Sequence, residues 1–229
     1  MTLTLMFTKA LIPLITIALS PLSMGVDLFE DTANLLSVAS LTLDRSSTTG
    51  LFGSNPSGSI QAISSGGPNG SSYIQFNNSW TAGDGGNSGV GNYWLFSDWT
   101  YDPSHISIAA SIDFFGSIDV INDPENIGVG VVAKQDGRFT FSFYDPNQQA
   151  TWNTVSGTNT TGLTTDGGLI EFGIFTANST GNTSGSPINL SRTGGLDNLS
   201  VKLTSAVPEP SSALLTLLGS FGLVLRRRR

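Results

Sequence analysis

The chain has 229 residues, with ten basic residues, 17 acidic residues, one histidine and no cysteine, and its formal net charge is −7. This acidity argues against nucleic-acid binding, which requires a positively charged surface. The absence of cysteine excludes disulfide bonds, and together with the single histidine, His105, it excludes a Cys/His metal cluster.

Residues 1–25 have the layout of a secretory signal peptide. Lys9 is their only charged residue and precedes an apolar run, and the small residues Ser23 and Gly25 precede a plausible cleavage after Gly25. We therefore predict an N-terminal signal helix, export through the Sec translocon and an exported domain of residues 26–206. That domain holds five basic and 16 acidic residues. The resulting acidity either keeps the domain soluble outside the cell, or serves to bind cations or to repel anionic polymers.

The exported domain is rich in glycine, serine, threonine and asparagine, which is typical of an extracellular β-protein. We predict an all-β fold, a two-layer antiparallel β-sandwich of about eight to ten short strands. Residues 27–38 form either a short helix or an extended segment. Early strands are predicted at Ser37–Leu43, Ser72–Phe76 and Tyr93–Ser97, and the low-complexity patches Ser54–Gly70 and Asn178–Ser186 are predicted to be loops.

Alternating apolar residues predict the strands of the second half of the domain, each with one apolar face. These sets run from Ile106 to Phe114, Ile127 to Ala133, Phe139 to Phe143, Ile170 to Ile174 and Leu199 to Leu203. The second and third sets are joined through Asp136 and Gly137. Because Asp-Gly supplies the positive φ values of a tight turn, we predict a β-hairpin there.

Aromatic residues cluster between Trp80 and Tyr101, and an exposed aromatic ring can stack on the C–H face of a sugar. Trp94 and Phe96 alternate as core residues do. Trp99 and Tyr101, which are flanked by acidic residues, are the expected exposed pair, and Trp80 is the third candidate glycan contact. The alternative is that these rings fill the core of a domain that lacks disulfides.

The segment 119–126 concentrates oxygen ligands. Asp119, Asn122, Asp123 and Glu125 are candidate ligands of a structural Ca²⁺, because hard cations prefer oxygen donors. No EF-hand spacing is present, and aspartate and asparagine are also common in ordinary turns.

Glycoside cleavage requires a pair of carboxylates. Glu171 is a candidate, since it lies on the strand face opposite Ile170 and Phe172 and could enter a sugar cleft. The alternative is an exposed strand residue. His105 cannot form a Ser-His-Asp triad with its immediate neighbours, because neighbours in an extended segment do not converge. We therefore predict a protein that is not an enzyme.

Residues 207–229 combine three features in order. These are the motif Pro208, Glu209 and Pro210, an uncharged apolar run, and the terminal Arg226, Arg227, Arg228 and Arg229. As a helix, the apolar run would extend roughly 22 Å at ~1.5 Å per residue, short of the ~30 Å hydrocarbon core. The arginines should stop transfer and hold the C-terminus in the cytoplasm. We predict a single apolar C-terminal helix that anchors the protein transiently in the inner membrane.

This tail resembles the PEP-CTERM sorting signal of bacterial exosortase substrates. The resemblance implies recognition by a membrane exosortase near Pro208–Pro210, removal of the tail, and delivery to the cell surface or extracellular matrix. Such proteins usually accompany exopolysaccharide production. The alternating strands, the Trp/Asp loops and the closing segment 194–201 are also similar to concanavalin/laminin-G-like or carbohydrate-module jelly rolls.

These resemblances favour a protein that binds or organises extracellular polysaccharide without catalysis. The alternative function is a secreted glycan-active hydrolase that uses Asp or Glu carboxylates.

Overall fold

The computed structural model describes residues 25–33, 41–50, 52–105, 112–122, 127–147, 149–160 and 162–206. The chain forms two compact units, and the unit Gly25–Pro208 contains all of these residues. The predicted signal helix, the sorting motif Pro208–Pro210, the apolar helix and Arg226–Arg229 lie outside the described residues. Within the described ranges, no helix is long and apolar enough to cross a membrane.

The described part of the chain consists almost entirely of β-strands. They are β1 (Gly25–Ala33), β2 (Leu41–Thr49), β3 (Gly53–Ile63), β4 (Tyr73–Ala82), β5 (Gly86–Tyr101), β6 (Ile112–Asn122), β7 (Ile127–Gln135), β8 (Arg138–Asp145), β9 (Asn153–Asn159), β10 (Ile170–Asn182) and β11 (Ile188–Ala206). Two single 3-10 turns, Pro68–Gly70 and Pro103–His105, lie between strands.

The strands pair antiparallel in two sheets, so the predicted two-layer β-sandwich is confirmed. Sheet A has the order β3-β4-β11-β6-β9, with β1 also paired to β11. Sheet B has the order β2-β5-β10-β7-β8. In sheet A, β4 and β1 share one edge of β11 while β6 occupies the other, so β11 is the central strand.

The sheets pack face to face through the alternating apolar side chains. The predicted inner faces of four strands are confirmed by burial of Ile112 and Phe114, Val129, Val131 and Ala133, Ile170, Phe172 and Ile174, and Leu199, Val201 and Leu203. The predicted strand positions 106–111 lie outside the described residues. Of the segment 27–38, residues up to Ala33 are extended in β1, which agrees with the second of the two alternatives.

The low-complexity patches are only partly loops, so the loop predictions for Ser54–Gly70 and Asn178–Ser186 are wrong over much of their length. The first contains most of β3, and the second contains the end of β10. β3 is an edge strand with polar cross-strand pairs: Gln61 donates to Gln75 at 2.5 Å. Serine, glutamine and glycine therefore form a regular strand here because one of its faces meets water.

The Asp-Gly hairpin between β7 and β8 is confirmed. Asp136 and Gly137 have φ values of 51° and 76°, the two positive values that a type I′ turn requires. The shared face predicted for Phe139 to Phe143 is wrong. A β-bulge at Ser142, where Val131 pairs with Phe143 and Val132 with Phe141, reverses the side-chain alternation.

A hydrogen-bonded polar cluster lies inside the sandwich. Asn78 of β4 donates to Asn178 at 2.7 Å, and its side-chain oxygen accepts from Asn92 at 2.7 Å and from Thr176 at 3.0 Å. Trp94 donates its indole N–H to Thr176 at 3.3 Å. Among the described residues, every buried side-chain polar atom has a hydrogen-bond partner, so this cluster satisfies its own polar groups without water.

Candidate functional site

Aromatic and charged side chains lie together on the outer face of sheet B. The cross-strand register aligns them in three rows: Arg45, Tyr93, Phe175, Gly130 and Tyr144; then Thr42, Leu95, Gly173, Val132 and Phe141; then Glu171, Lys134 and Phe139. The Ser142 bulge helps to build this face, because it leaves Phe139 and Phe141 outside while Phe143 packs against the core.

Five of these side chains form one aromatic cluster, which we call the aromatic platform: Tyr93, Phe139, Phe141, Tyr144 and Phe175. Phe175 lies at its centre, with ring centroids 4.6 Å from Tyr93, 5.2 Å from Phe141 and 5.9 Å from Tyr144. Phe139 lies 4.1 Å from Tyr93. Tyr144 is 50% exposed, Phe175 is only 8% exposed, and the other three rings are partly exposed. The platform thus presents ring surface to solvent.

Glycines beneath the platform let the rings lie against the sheet. A Cβ atom on Gly91 would meet the Phe175 ring at 2.9 Å, and one on Gly128 would collide with the Tyr144 ring. A Cβ on Gly130 would come within 3.0 Å of the Phe141 ring. Because any larger residue would lift a ring off the backbone, these glycines serve close packing at this face.

Contacts between side chains of distant strands indicate that the outer face of sheet B is concave. Lys134 of β7 contacts Asp44 of β2 at 2.5 Å although two strands lie between them. The Arg45 guanidinium of edge strand β2 lies 5.3 Å from the ring centre of Phe139, on the opposite edge strand β8. On a flat sheet these edge strands would be roughly 19 Å apart, at about 4.8 Å per strand. The edges must therefore curve toward each other around the platform.

Charged side chains of β2 and β7 border the platform. The Arg45 guanidinium lies over Tyr93 at 6.0 Å, and the Lys134 ammonium lies over Phe139 at 5.8 Å. The same ammonium contacts Asp44 at 2.5 Å and Glu171 at 3.8 Å. The concave face therefore combines flat apolar rings with hydrogen-bond donors and acceptors.

Both tyrosines of the platform remain protonated at neutral pH. Burial raises the pKa of Tyr93, and the Arg45 charge opposes that rise. Burial, followed by the negative charge of Asp145, raises the pKa of Tyr144. Because the ordinary pKa of tyrosine is already about 10, both phenols can donate a hydrogen bond to a ligand oxygen.

The glycan contacts predicted at Trp80 and Trp99 do not fit the structure, because both rings are buried. The indole of Trp80 packs with Ala82 and Val90 in a small core cluster and donates its N–H to a serine hydroxyl. Trp99 stacks on Phe96 at 4.6 Å, and it is 9% exposed, so the exposure predicted for it is wrong. Tyr101 is partly exposed and packs against the core.

The predicted calcium ligands can be located only in part. Asp119 lies on β6 as the cross-strand partner of Asp197, and its carboxylate accepts hydrogen bonds from Thr154 and from Asn198, the latter at 2.8 Å. Asp123 and Glu125 lie outside the described residues, and for Asn122 only the backbone is described. Across the described residues, no three acidic or histidine side chains gather to hold a metal ion.

Glu171, the carboxylate considered for glycoside cleavage, borders the platform through its contact with Lys134. Asp44 contacts the same ammonium from the other side. Two carboxylates therefore approach each other next to the rings.

Sequence reasoning found parts of this site without recognising it. The sequence places Tyr93 in the aromatic cluster and predicts one apolar face for Phe139, Phe141 and Phe143, but no pattern in it singles out Phe175 or Tyr144. Glycine at alternate positions of one strand, as at Gly128 and Gly130 of β7, is a usable signal, because it leaves room for rings from the adjacent strand.

No family model matches the sequence, and no curated protein matches it. Several solved structures are similar to the chain. The CBM22-1–GH10 modules of xylanase 10B from Clostridium thermocellum, complexed with xylohexaose, are 8% identical, with 77% of this chain and 28% of that chain covered and a TM-score of 0.40. A carbohydrate-binding module of the β-sandwich superfamily is 9% identical, with 72% and 58% covered and a TM-score of 0.41.

A third structure, the xylan-binding domain of Paenibacillus barcinonensis Xyn10C, is 9% identical, with 82% of this chain and 100% of that chain covered and a TM-score of 0.39. The chain thus spans less than two thirds of the first two matched chains. At these identities and TM-scores, the similarities carry no argument about ligand or site. The aromatic platform is the site that the geometry of this chain itself supports.

Proposed function

We propose that the exported domain binds polysaccharide on the aromatic platform and does not cleave it. The observation that carries this proposal is the partly exposed aromatic cluster on the concave outer face of sheet B. Sugar rings present flat C–H faces that pack against aromatic rings. Their hydroxyl groups need donors and acceptors, which Arg45, Lys134 and Glu171 supply at the border. A concave face can hold a chain of sugar units rather than a single ring.

The export and sorting of the protein belong to the same proposal. The chain would be exported through the Sec translocon, anchored briefly in the inner membrane, and sorted by an exosortase to the cell surface or extracellular matrix of a bacterium. Support for this comes from the signal-peptide layout of residues 1–25 and from the resemblance of residues 207–229 to a PEP-CTERM signal. Polysaccharide binding is consistent with a location at the cell surface or in the extracellular matrix.

Glycan binding can be tested with the full chain in mild detergent against the exopolysaccharide of its host. We expect Tyr144→Ala to weaken retention about three- to tenfold, because one exposed ring contributes on the order of 0.5–1.5 kcal/mol. The thermal midpoint should stay nearly unchanged, since Tyr144 is half exposed. Affinity gel electrophoresis in polymer-containing gels would measure the retention.

Trp152→Ala is the matched control for this experiment. Trp152 lies on the sheet A side of the sandwich, where its ring contacts Tyr73 at 5.3 Å and its N–H donates to Gly66 at 2.8 Å. This variant should be retained like the unaltered protein. Loss of retention in Trp152→Ala with none in Tyr144→Ala would place binding away from the platform and contradict the proposal.

The hydrolase alternative rests on the approach of Asp44 and Glu171 to one ammonium. It predicts that the polymer becomes shorter during incubation and that Glu171→Gln abolishes the shortening. The proposed binding function predicts an unchanged chain-length distribution by size-exclusion chromatography with both proteins.

Sorting is tested by deleting Pro208–Pro210 and fractionating the cells. The deletion should leave the protein in the inner-membrane fraction, because the exosortase would lack its motif while the apolar run and arginines would still stop transfer. The double substitution Ser64→Ala and Ser65→Ala, in an exposed bend far from the tail in sequence, is the control. Unchanged delivery of the Pro208–Pro210 deletion to the surface would refute the sorting proposal.

A further inference from the structure

Among the described residues, Arg45 has no carboxylate partner, unlike the other cation at the platform. Its side chain is exposed, and its guanidinium lies over Tyr93 at 6.0 Å and Phe139 at 5.3 Å. Lys134, in contrast, is paired with Asp44 and Glu171. Within the described ranges, no carboxylate lies at ion-pair distance from Arg45.

The placement of this cation stands out in so acidic a domain. Residues 26–206 contain five basic and 16 acidic residues, and two of the five basic side chains, Arg45 and Lys134, lie over rings of the platform. Acidic residues outnumber basic ones about threefold in this segment, yet Arg45 forms no ion pair among the described residues. Here it lies against aromatic rings at the one face where we place a ligand.

The geometry of a guanidinium explains what such a residue can bind. Its flat face packs on aromatic rings, while its N–H groups point outward from its edge. Those N–H groups match the two oxygens of a carboxylate and can bind it through two parallel hydrogen bonds. A neutral sugar hydroxyl matches these paired N–H groups less well than a carboxylate does, because it does not offer two charged oxygens.

We infer that the polysaccharide held at the aromatic platform contains uronic acid units and that Arg45 binds their carboxylates. This inference rests on the proposed glycan-binding function and names the class of polymer. The aromatic rings contact the sugar faces, and Arg45 selects the charged unit. The acidity of the rest of the domain repels a polyanion, so selection depends on this local contact. At 0.15 M salt the long-range repulsion is screened over about 8 Å, whereas the contact itself persists.

The test compares polymers that differ only in charge. Polygalacturonate, polyglucuronate and alginate would each be paired with the same polymer after its carboxyl groups have been reduced to alcohols. Binding of the full chain in mild detergent would be measured at 0.15 M salt. We expect at least one acidic polymer to bind about tenfold more tightly than its reduced counterpart. Equal binding of every pair would overturn the inference.

Variants of Arg45 identify the residue responsible. Arg45→Gln should remove the preference and keep the binding of the reduced polymer, and Arg45→Lys should keep only part of the preference because lysine lacks the fork. Arg138→Gln, which removes an exposed cation from the β7–β8 turn, is the charge-matched control and should keep the preference. A preference that survives in Arg45→Gln would overturn the assignment.

The same experiment separates this inference from the proposed function. If no acidic polymer is preferred but host exopolysaccharide is retained and Tyr144→Ala weakens that retention, the inference fails and the binding function stands. If neither the polymers nor host exopolysaccharide are retained, both fail. Equal thermal midpoints for the unaltered protein and the Arg45 variants would show that lost preference does not reflect unfolding.

Discussion

Asn78 is fully buried between the two sheets, where an apolar residue would be the ordinary choice. Along β4 it lies between Phe76 of the main core and Trp80 of the smaller cluster. Its amide group joins both sheets, because it bonds to Asn92 of β5 and to Asn178 of β10. A shift of one sheet against the other would break these bonds, so the cluster fixes the relative position of the two layers.

We expect Asn78→Leu to lower the free energy of unfolding by several kcal/mol, although leucine is similar in size and more apolar. The change would take the acceptor away from the Thr176 hydroxyl and one of two acceptors away from the Asn92 amide nitrogen, at a cost of about 1–3 kcal/mol per unsatisfied group. Urea denaturation followed by tryptophan fluorescence would measure it. Ser79→Ala, on the adjacent outward-facing position of β4, is the control. A change below 1 kcal/mol for Asn78→Leu would contradict this role.

The sequence predicts which residue types a glycan site would use, but it does not predict which of them are exposed. Trp80 and Trp99 are candidates because they are large and aromatic, yet both are buried. Trp80 lies in the small core cluster against which Ile188 and Leu190 of β11 pack, and Trp99 stacks on Phe96. The platform rings come from three strands separated along the chain. Their proximity depends on strand order, which local alternation does not encode.

At the level of single elements, the β7–β8 hairpin was the most predictable part of the fold. Its turn is specified by two adjacent residues, Asp136 and Gly137, and the flanking alternation predicts which side of β7 faces the core between the sheets. The facing strand was harder to predict. One extra residue at Ser142 reverses the alternation, and nothing in the local sequence marks that position.

We expect Gly137→Ala to destabilise the domain by about 1 kcal/mol, because its φ of 76° is unfavourable for a residue with a Cβ atom. No atom lies within 4 Å of the position that this Cβ would take, so steric collision does not contribute. Gly181→Ala, at a strand position without positive φ, is the matched control. The urea midpoint should fall only for Gly137→Ala, and equal midpoints would contradict the backbone argument.

On the scale of the whole domain, the two outer faces differ in chemistry. The outer face of sheet A carries polar cross-strand pairs, such as Ser57 with Ser79 at 2.8 Å and Asn77 with Ser191 at 2.7 Å. The outer face of sheet B carries the aromatic platform. The sandwich could be predicted from alternation and composition, because both reflect a core between two layers. The difference between the outer faces could not, because it depends on how the strands are ordered.

Calcium binding remains a prediction for Asp119, Asn122, Asp123 and Glu125. If these residues hold Ca²⁺, adding calcium should raise the thermal midpoint and a chelator should lower it. A site that binds only the folded state stabilises it by about 2.7 kcal/mol when free calcium is 100 times Kd. Asp123→Ala should reduce the shift, while Asp166→Ala should leave it intact. Identical thermal midpoints with calcium and with chelator would contradict the prediction.

The position of β11 in the chain has a consequence for the order of folding. This strand is the last one described, yet it supplies the hydrogen-bond partners of β1, β4 and β6. Until it is available, sheet A can form only as two separate pairs, β3 with β4 and β6 with β9. The first strand must wait longest, because Gly25 pairs with Ala206. Such distant pairings slow folding, so a chain that emerges N-terminus first completes its sandwich only when its final strand arrives.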